Sequence, residues 1–321
     1  MKNRSSLIGS LLLLLGTVIW GTAFVSQKQA NSNIGPFTVI CLRSLLAVFF
    51  ITAVILVFDA LRKDRKLFSV RDGKFHLDIT RTEWIGGSLC GVALFFASYL
   101  QQAGLANNDS AGKTAFITTL YVAFVPVIGI FLRRPTAPIV WCGVGGALVG
   151  GYFLAVPAGE VFSVALGDLL VFGSAVVFAV HILVVDRFSP HCDGIRMSLV
   201  QFLTVTVLSA PFFLFAERPA FSDILAGFGP LLYLGFMSSG VAYTLQIVAQ
   251  GKTHPAVASV IMSLESVFGV LGGAVFLGEK MTVREYIGCA ILLCAVLLTE
   301  LGGVFFFARK TDEASEAVPT E

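Results

Sequence analysis

The chain has 321 residues, of which 56% are hydrophobic and only 13% charged, and its mean hydropathy is +0.86. A soluble domain carries roughly a quarter charged residues, so the composition excludes a water-soluble globule. The formal net charge of +2, spread over short loops, excludes the basic stripe of a nucleic-acid-binding protein.

In chain order, ten apolar runs approach or exceed the length of about 20 residues that a helix needs to cross a bilayer. They cover residues 7–30, 36–60, 83–105, 113–132, 138–156, 165–188, 195–216, 224–249, 255–277 and 284–307. The runs are continuous rather than alternating, which favours helices over membrane strands. The first run follows Lys2 and Arg4. It is too long for the apolar core of a cleaved signal peptide, so it is expected to stay as a helix. Connections are short except for residues 62–81, which hold Arg62, Lys63, Arg65, Lys66, Arg71, Lys74 and Arg81. Attraction to anionic lipid is the simplest role for that stretch. Residues 308–321 are expected to form a polar cytoplasmic tail, disordered over residues 310–321.

Cys41, Cys90, Cys142, Cys289 and Cys294 fall inside apolar runs, and Cys192 lies in a polar stretch. Cysteines within apolar runs act as small hydrophobes, and no CxxC spacing occurs. Neither a disulfide framework nor a metal site is expected, and no cofactor.

Lys and Arg concentrate in cytoplasmic loops. With the N-terminus inside, the inner segments take Lys2, Arg4, the seven cations of the long loop, Arg133, Arg134, Arg187, Arg196, Lys252, Arg309 and Lys310. The outer segments and helix ends keep only Lys28, Lys113, Arg218, Lys280 and Arg284, and Arg43 lies within a helix. The asymmetry predicts both termini in the cytoplasm and supports an even helix count.

The chain also resembles itself. Tyr99-Leu-Gln-Gln102 aligns with Tyr243-Thr-Leu-Gln246. At the same offset Ile117 meets Ile261, Leu120 meets Leu264, Phe124 meets Phe268 and Gly129 meets Gly273; after a one-residue gap Gly143 meets Gly288. Two halves follow, over residues 7–156 and 165–307. Five helices per half is an odd number, so the second half enters the membrane from the opposite side. The expected fold is an all-α integral membrane protein of ten transmembrane helices in two inverted five-helix repeats. Inverted repeats suit alternating access, with the solute site near the midplane.

The segments Gln101-Gln-Ala-Gly-Leu-Ala and Ser110-Ala-Gly-Lys-Thr-Ala-Phe-Ile-Thr-Thr-Leu-Tyr-Val-Ala-Phe-Val-Pro126 resemble the EamA family of the drug/metabolite transporter superfamily. So do Ser263-Leu-Glu-Ser-Val-Phe and the stretch Leu277-Gly-Glu-Lys-Met-Thr-Val-Arg-Glu-Tyr-Ile-Gly288, as well as Gly167-Asp-Leu-Leu with His181 and Gln201. The resemblance spans about residues 7–307. Arg133-Arg134-Pro135 departs from it, whereas the second half has Gly278-Glu279 at the comparable place. A role the family gives that Glu passes only to Glu279. The resemblance implies a ten-helix carrier in the cytoplasmic membrane, often an exporter of amino acids or related metabolites.

Polar groups inside a membrane are costly, so each needs an account. Glu265 lies near mid-depth in the ninth run and can take up a proton there. It is either a proton-coupling or gating group, or a protonated side chain holding two helices together. His181, deep in the sixth run, either contacts the solute or bonds a neighbouring helix. Arg43 either binds a carboxylate, snorkels to the outer headgroups or forms a structural ion pair. Gln102 and Gln246 match in the repeat, as do Tyr99 and Tyr243, and matched amides and phenols suit a site on a two-fold axis; interhelical bonding is the alternative. Trp20, Thr118 and Tyr121 are candidates for the lining of the same site, with core packing the default for Trp20. Pro126 can kink the fourth helix. The glycines of 87–91 and 269–273 suit close helix packing.

No HExxH, GxSxG or P-loop occurs, and there are only four His; this argues against an enzyme or an ATP-driven pump. The expected partners are a small-molecule solute, the lipid bilayer and, as an option, a second copy of the chain. The alternatives are a flippase or channel of the same architecture, or a membrane protein without transport activity.

Overall fold

The computed structural model describes residues 2–62, 67–71, 74–107, 111–133, 136–156, 165–277 and 281–316. Side chains are described within residues 6–300. Glu279 and Lys280, and Lys63, Arg65, Lys66 and Arg134 of the basic stretches, lie outside the described residues.

Helices α1 (Lys2–Asn31) and α2 (Pro36–Arg62) are followed by a short antiparallel hairpin, β1 (Phe68–Arg71) and β2 (Lys74–Leu77), with Phe68 opposite Leu77. The hairpin lies in the long basic loop and is an addition to the all-helical expectation. There follow α3 (Arg81–Ala106), α4 (Ala111–Thr119), α5 (Tyr121–Phe131), α6 (Pro138–Ala155) and α7 (Leu166–Phe188). Helix α8 (Gly194–Pro211) continues as a π-helix over Phe212–Glu217. Helices α9 (Phe221–Ala226) and α10 (Phe228–Leu232) lead into a second π segment, Tyr233–Ala242, and then α11 (Tyr243–Gln250). The chain ends with α12 (Pro255–Met262), α13 (Glu265–Leu277) and α14 (Val283–Glu316). Helix α14 carries the backbone of the expected tail on to Glu316, so residues 310–316 are helical rather than disordered.

Local chemistry sets several helix starts. Thr80 and Glu83 form a reciprocal cap on α3: the Glu83 amide donates to Thr80 Oγ1 at 3.3 Å, and the Thr80 amide donates to Glu83 Oε2 at 2.7 Å. Asp193 caps α8 by accepting from the Ile195 and Arg196 amides. Pro138 opens α6 and Pro255 opens α12, where a missing N–H costs nothing.

Among the described residues, nine helical stretches are long and apolar enough to cross a membrane. The tenth apolar run lies in α14. The exterior carries large apolar side chains, such as Phe131 at 83% and Val275 at 76% exposed. Such a surface fits lipid and not water. Cys142 and Cys294 also face outward, although most cysteines of the apolar runs are at least partly buried. All six cysteines are free.

Helix α6 lies along α14, α3 packs on both α7 and α8, α2 on α8, and α1 on α13 and on the second π segment. Small residues allow the close crossings. A side chain at Gly87 would strike Val200, and one at Gly91 would strike Thr204, so α3 and α8 touch nearly backbone to backbone.

The fourth and ninth runs are each broken. Helices α4 and α5 meet at Leu120, and α12 and α13 meet at Ser263 and Leu264. At both breaks the bonding tightens by one residue: the Leu120 amide donates to the Ile117 carbonyl at 3.2 Å, and the Leu264 amide to the Ile261 carbonyl at 3.1 Å. Hydroxyls compete for carbonyls just upstream, from Thr118 and Thr119 in one case and Ser263 in the other. Such back-bonding bends helices. Pro126, the expected kink, sits inside α5, and the break falls before it.

Candidate functional site

The two breaks and the second π segment face a common interior cavity of ≈ 40 Å³. Its apolar wall comes from Trp20 and Phe24 on α1, Phe178 and Ile182 on α7, and Met262 at the end of α12. Its polar wall comes from Gln27, Arg43, Gln101 and Thr118 in the first half of the chain. Tyr121 opens α5 opposite His181, Ser238, Tyr243, Gln246 and Glu265 from the second half. Both halves therefore build it.

The charged groups are buried. Arg43, 7% exposed, donates from Nε to Ser239 Oγ at 2.8 Å and from Nη2 to Ser238 Oγ at 2.9 Å. Both serines sit on the π segment, whose wider turn brings them toward α2. Glu265, 6% exposed, is the first residue of α13, where backbone N–H groups favour a negative charge. Its Oε1 accepts from the Tyr121 hydroxyl at 3.1 Å. His181 is 1% exposed, and its Nε2 lies 2.9 Å from Gln201 Oε1. Tyr243 lines the same cavity. Its ring meets Trp20 edge-on at 4.8 Å and His181 at 6.0 Å.

The neutral groups form a partly open network. Gln101 donates to Thr118 Oγ1 at 3.1 Å, Trp20 Nε1 to the Ser238 carbonyl at 3.3 Å, and Gln246 to Gln250 Oε1 at 2.9 Å. Three buried acceptor positions, Gln27 Oε1, His181 Nδ1 and Gln246 Oε1, have no protein partner among the described residues. Buried polar atoms left unpaired are costly, and here all three belong to residues that line the cavity.

Of the residues singled out from sequence, Trp20, Thr118, Tyr121, His181, Tyr243, Gln246 and Glu265 are brought together. Tyr99 and Gln102 are not. Tyr99 stacks on Phe37 with ring centroids 4.3 Å apart, and Gln102 donates to the Gln27 carbonyl at 3.3 Å. Gln101, one residue earlier, faces the cavity instead. Among the described residues Arg43 neither snorkels outward nor forms an ion pair. Arg43 instead turns inward and takes neutral partners. Gln27 and Ser238 escaped the sequence reading, because neither stands out within its run. No group of three or more His, Cys, Asp or Glu among the described residues is arranged to hold a metal.

A helical, multi-pass membrane protein with an interior cavity bordered by polar side chains is the architecture of a membrane transporter. Matches to the EamA-like transporter family cover residues 7–156 and 165–301, and the chain belongs to that family. An uncharacterized transporter of Archaeoglobus fulgidus is 29% identical over 301 residues, 92% of this chain and 86% of that protein. The uncharacterized inner membrane transporter YedA of Escherichia coli is 21% identical over 303 residues, 94% of this chain and 93% of its own length. A solved crystal structure covers 91% of this chain and 96% of its own at a TM-score of 0.70 and 18% identity, which shows a shared fold.

Proposed function

We propose that the protein is a secondary carrier. It moves small polar organic solutes, amino-acid-like in size, across the cytoplasmic membrane by alternating access through this cavity. The observation that carries the reading is the cavity itself: buried, polar, and built from both halves of the chain. The outward direction rests on the family resemblance.

Ten membrane helices in two inverted repeats, with both termini cytoplasmic, complete the proposal. The helix packing supports it. Exchanging each helix of one half for its counterpart turns the pairing of α3 with α7 into that of α1 with the stretch from α10 to α11. It leaves α2 with α8, and α6 with α14, unchanged. The breaks at Leu120 and Leu264 fall on aligned residues. Gly143 and Gly288 also align, and their surroundings exchange. A side chain at Gly143 would meet the Ala295 carbonyl and Thr299, and one at Gly288 would meet the Gly150 carbonyl and Leu154. Gly143 with Gly288, Gly150 with Ala295 and Leu154 with Thr299 share one offset, one residue longer than that of Leu120 with Leu264.

The test is transport into proteoliposomes, with a panel of amino acids and related metabolites. Saturable uptake that accelerates when unlabelled solute is loaded inside is the expected result. Flux that rises linearly with concentration and ignores internal solute would indicate a channel and reject the carrier.

A further inference from the structure

We propose that Arg43 is the anion-binding group of the cavity, so that the carried solute presents a carboxylate to it. This rests on the carrier reading and names the chemistry the carrier selects. A guanidinium cannot shed its charge, and a buried unpaired charge is among the costliest features a membrane protein can hold. Arg43 lies deep in the bundle, yet no carboxylate pairs with it among the described residues. Its partners are the hydroxyls of Ser238 and Ser239, which orient the planar fork but neutralise nothing. Glu265, the one acidic side chain lining the cavity among the described residues, is bonded to Tyr121. Tyr243 lines the cavity together with both charged groups.

The counter-charge is then supplied from within the cavity. A carboxylate fits the fork in a planar, bidentate way that a halide or a neutral amide cannot match. The two serines use Nε and one Nη2 bond, leaving further donors on the side chain. The aromatic lining of Trp20, Phe24 and Phe178 suits an apolar body. The solute is therefore an organic acid or a zwitterion with an apolar portion, and not a cationic amine.

The experiment compares matched probes on the purified full-length protein by the shift in its apparent melting temperature. Acetate, phenylacetate and L-phenylalanine carry the carboxylate. Acetamide, phenylacetamide, L-phenylalaninamide and phenethylamine lack it. The carboxylates are expected to stabilise saturably and the others not. Arg43→Gln is expected to weaken that binding by about tenfold or more, and Arg43→Lys by less, since charge remains but the fork is lost. If Arg43→Gln does not fold, the wild-type comparison and Arg43→Lys still decide. Amides that stabilise as well as acids would overturn the proposal. So would chloride acting as well as the carboxylates, full binding in Arg43→Gln, or no response to any carboxylate. Carboxylate-free solutes that show counter-flow in proteoliposomes would leave the carrier standing and remove the anion site.

Discussion

The Tyr121 hydroxyl donates to Oε1 of Glu265 at 3.1 Å, and each residue is the first of the second part of a broken helix. The two follow Leu120 and Leu264, which align in the internal repeat. A phenol and a carboxylate thus hold equivalent places in the two halves and bond to each other.

Glu265→Gln preserves the size and an acceptor for Tyr121 but removes the titrating group. If Glu265 couples transport to protons, uptake driven by a pH gradient should fall at least about tenfold. Counter-flow at equal pH should persist. Both are read in the same proteoliposomes. Gradient-driven uptake equal to wild type would leave Glu265 with a structural role only.

Gly288 and Gly150 hold α14 against α6. A side-chain carbon at Gly288 would lie 2.8 Å from the Gly150 carbonyl oxygen, and one at Gly150 would lie 2.9 Å from the Gly288 carbonyl oxygen. Backbone cannot yield easily, so Gly288→Val should cost about 1–3 kcal/mol and lower the melting temperature. Gly145 on the same helix α6 meets nothing within 4 Å. Gly145→Ala should leave stability unchanged or raise it slightly, because alanine is the better helix former. Equal losses in the two variants would contradict this packing.

Arg196 donates from Nη2 to Asp59 Oδ1 at 3.0 Å and from Nη1 to Asp193 Oδ2 at 3.3 Å, with its own side chain 5% exposed. Breaking such a pair from one side strands the other charge. Arg196→Ala should therefore destabilise by about 3 kcal/mol. The double variant with Asp59→Ala should recover part of that loss. Purely additive losses would show that the pair contributes nothing.

Glu217 accepts from the Phe37 amide at 2.9 Å, the Thr38 amide at 2.7 Å and the Thr38 hydroxyl at 2.6 Å. It thereby closes the N-terminus of α2 from the far end of the α8 stretch. Glu217→Ala should cost about 1–2 kcal/mol in thermal stability, and Glu217→Gln less. No change in either variant would mean that solvent caps α2 equally well.

The membrane helices were legible because crossing a bilayer imposes a length and an apolar composition that no loop imitates. Glu265, His181 and Tyr121 were legible as costly groups at depth. The rotation of each helix was not. Gln101 and Gln102 are neighbours of the same type, and only packing turns one to the cavity and the other to Gln27. The partners of Arg43 were hidden too. Ser238 and Ser239 lie nearly two hundred residues away in sequence, roughly, on a π segment that no periodicity in the chain announces. The bends at Leu120 and Leu264 carry no proline at the break, and the hydroxyls that cause them look like any Ser or Thr in an apolar run.

Helix α2 is tied to the α8 stretch at both ends, by Glu217 at one and by Arg196 with Asp59 at the other. A rod pinned twice to the same neighbour cannot slide along it. The pair acts as a strut, and Arg43 rides on it between the two pins. In the carrier proposed above, the cation would stay in place while other helices moved about this strut.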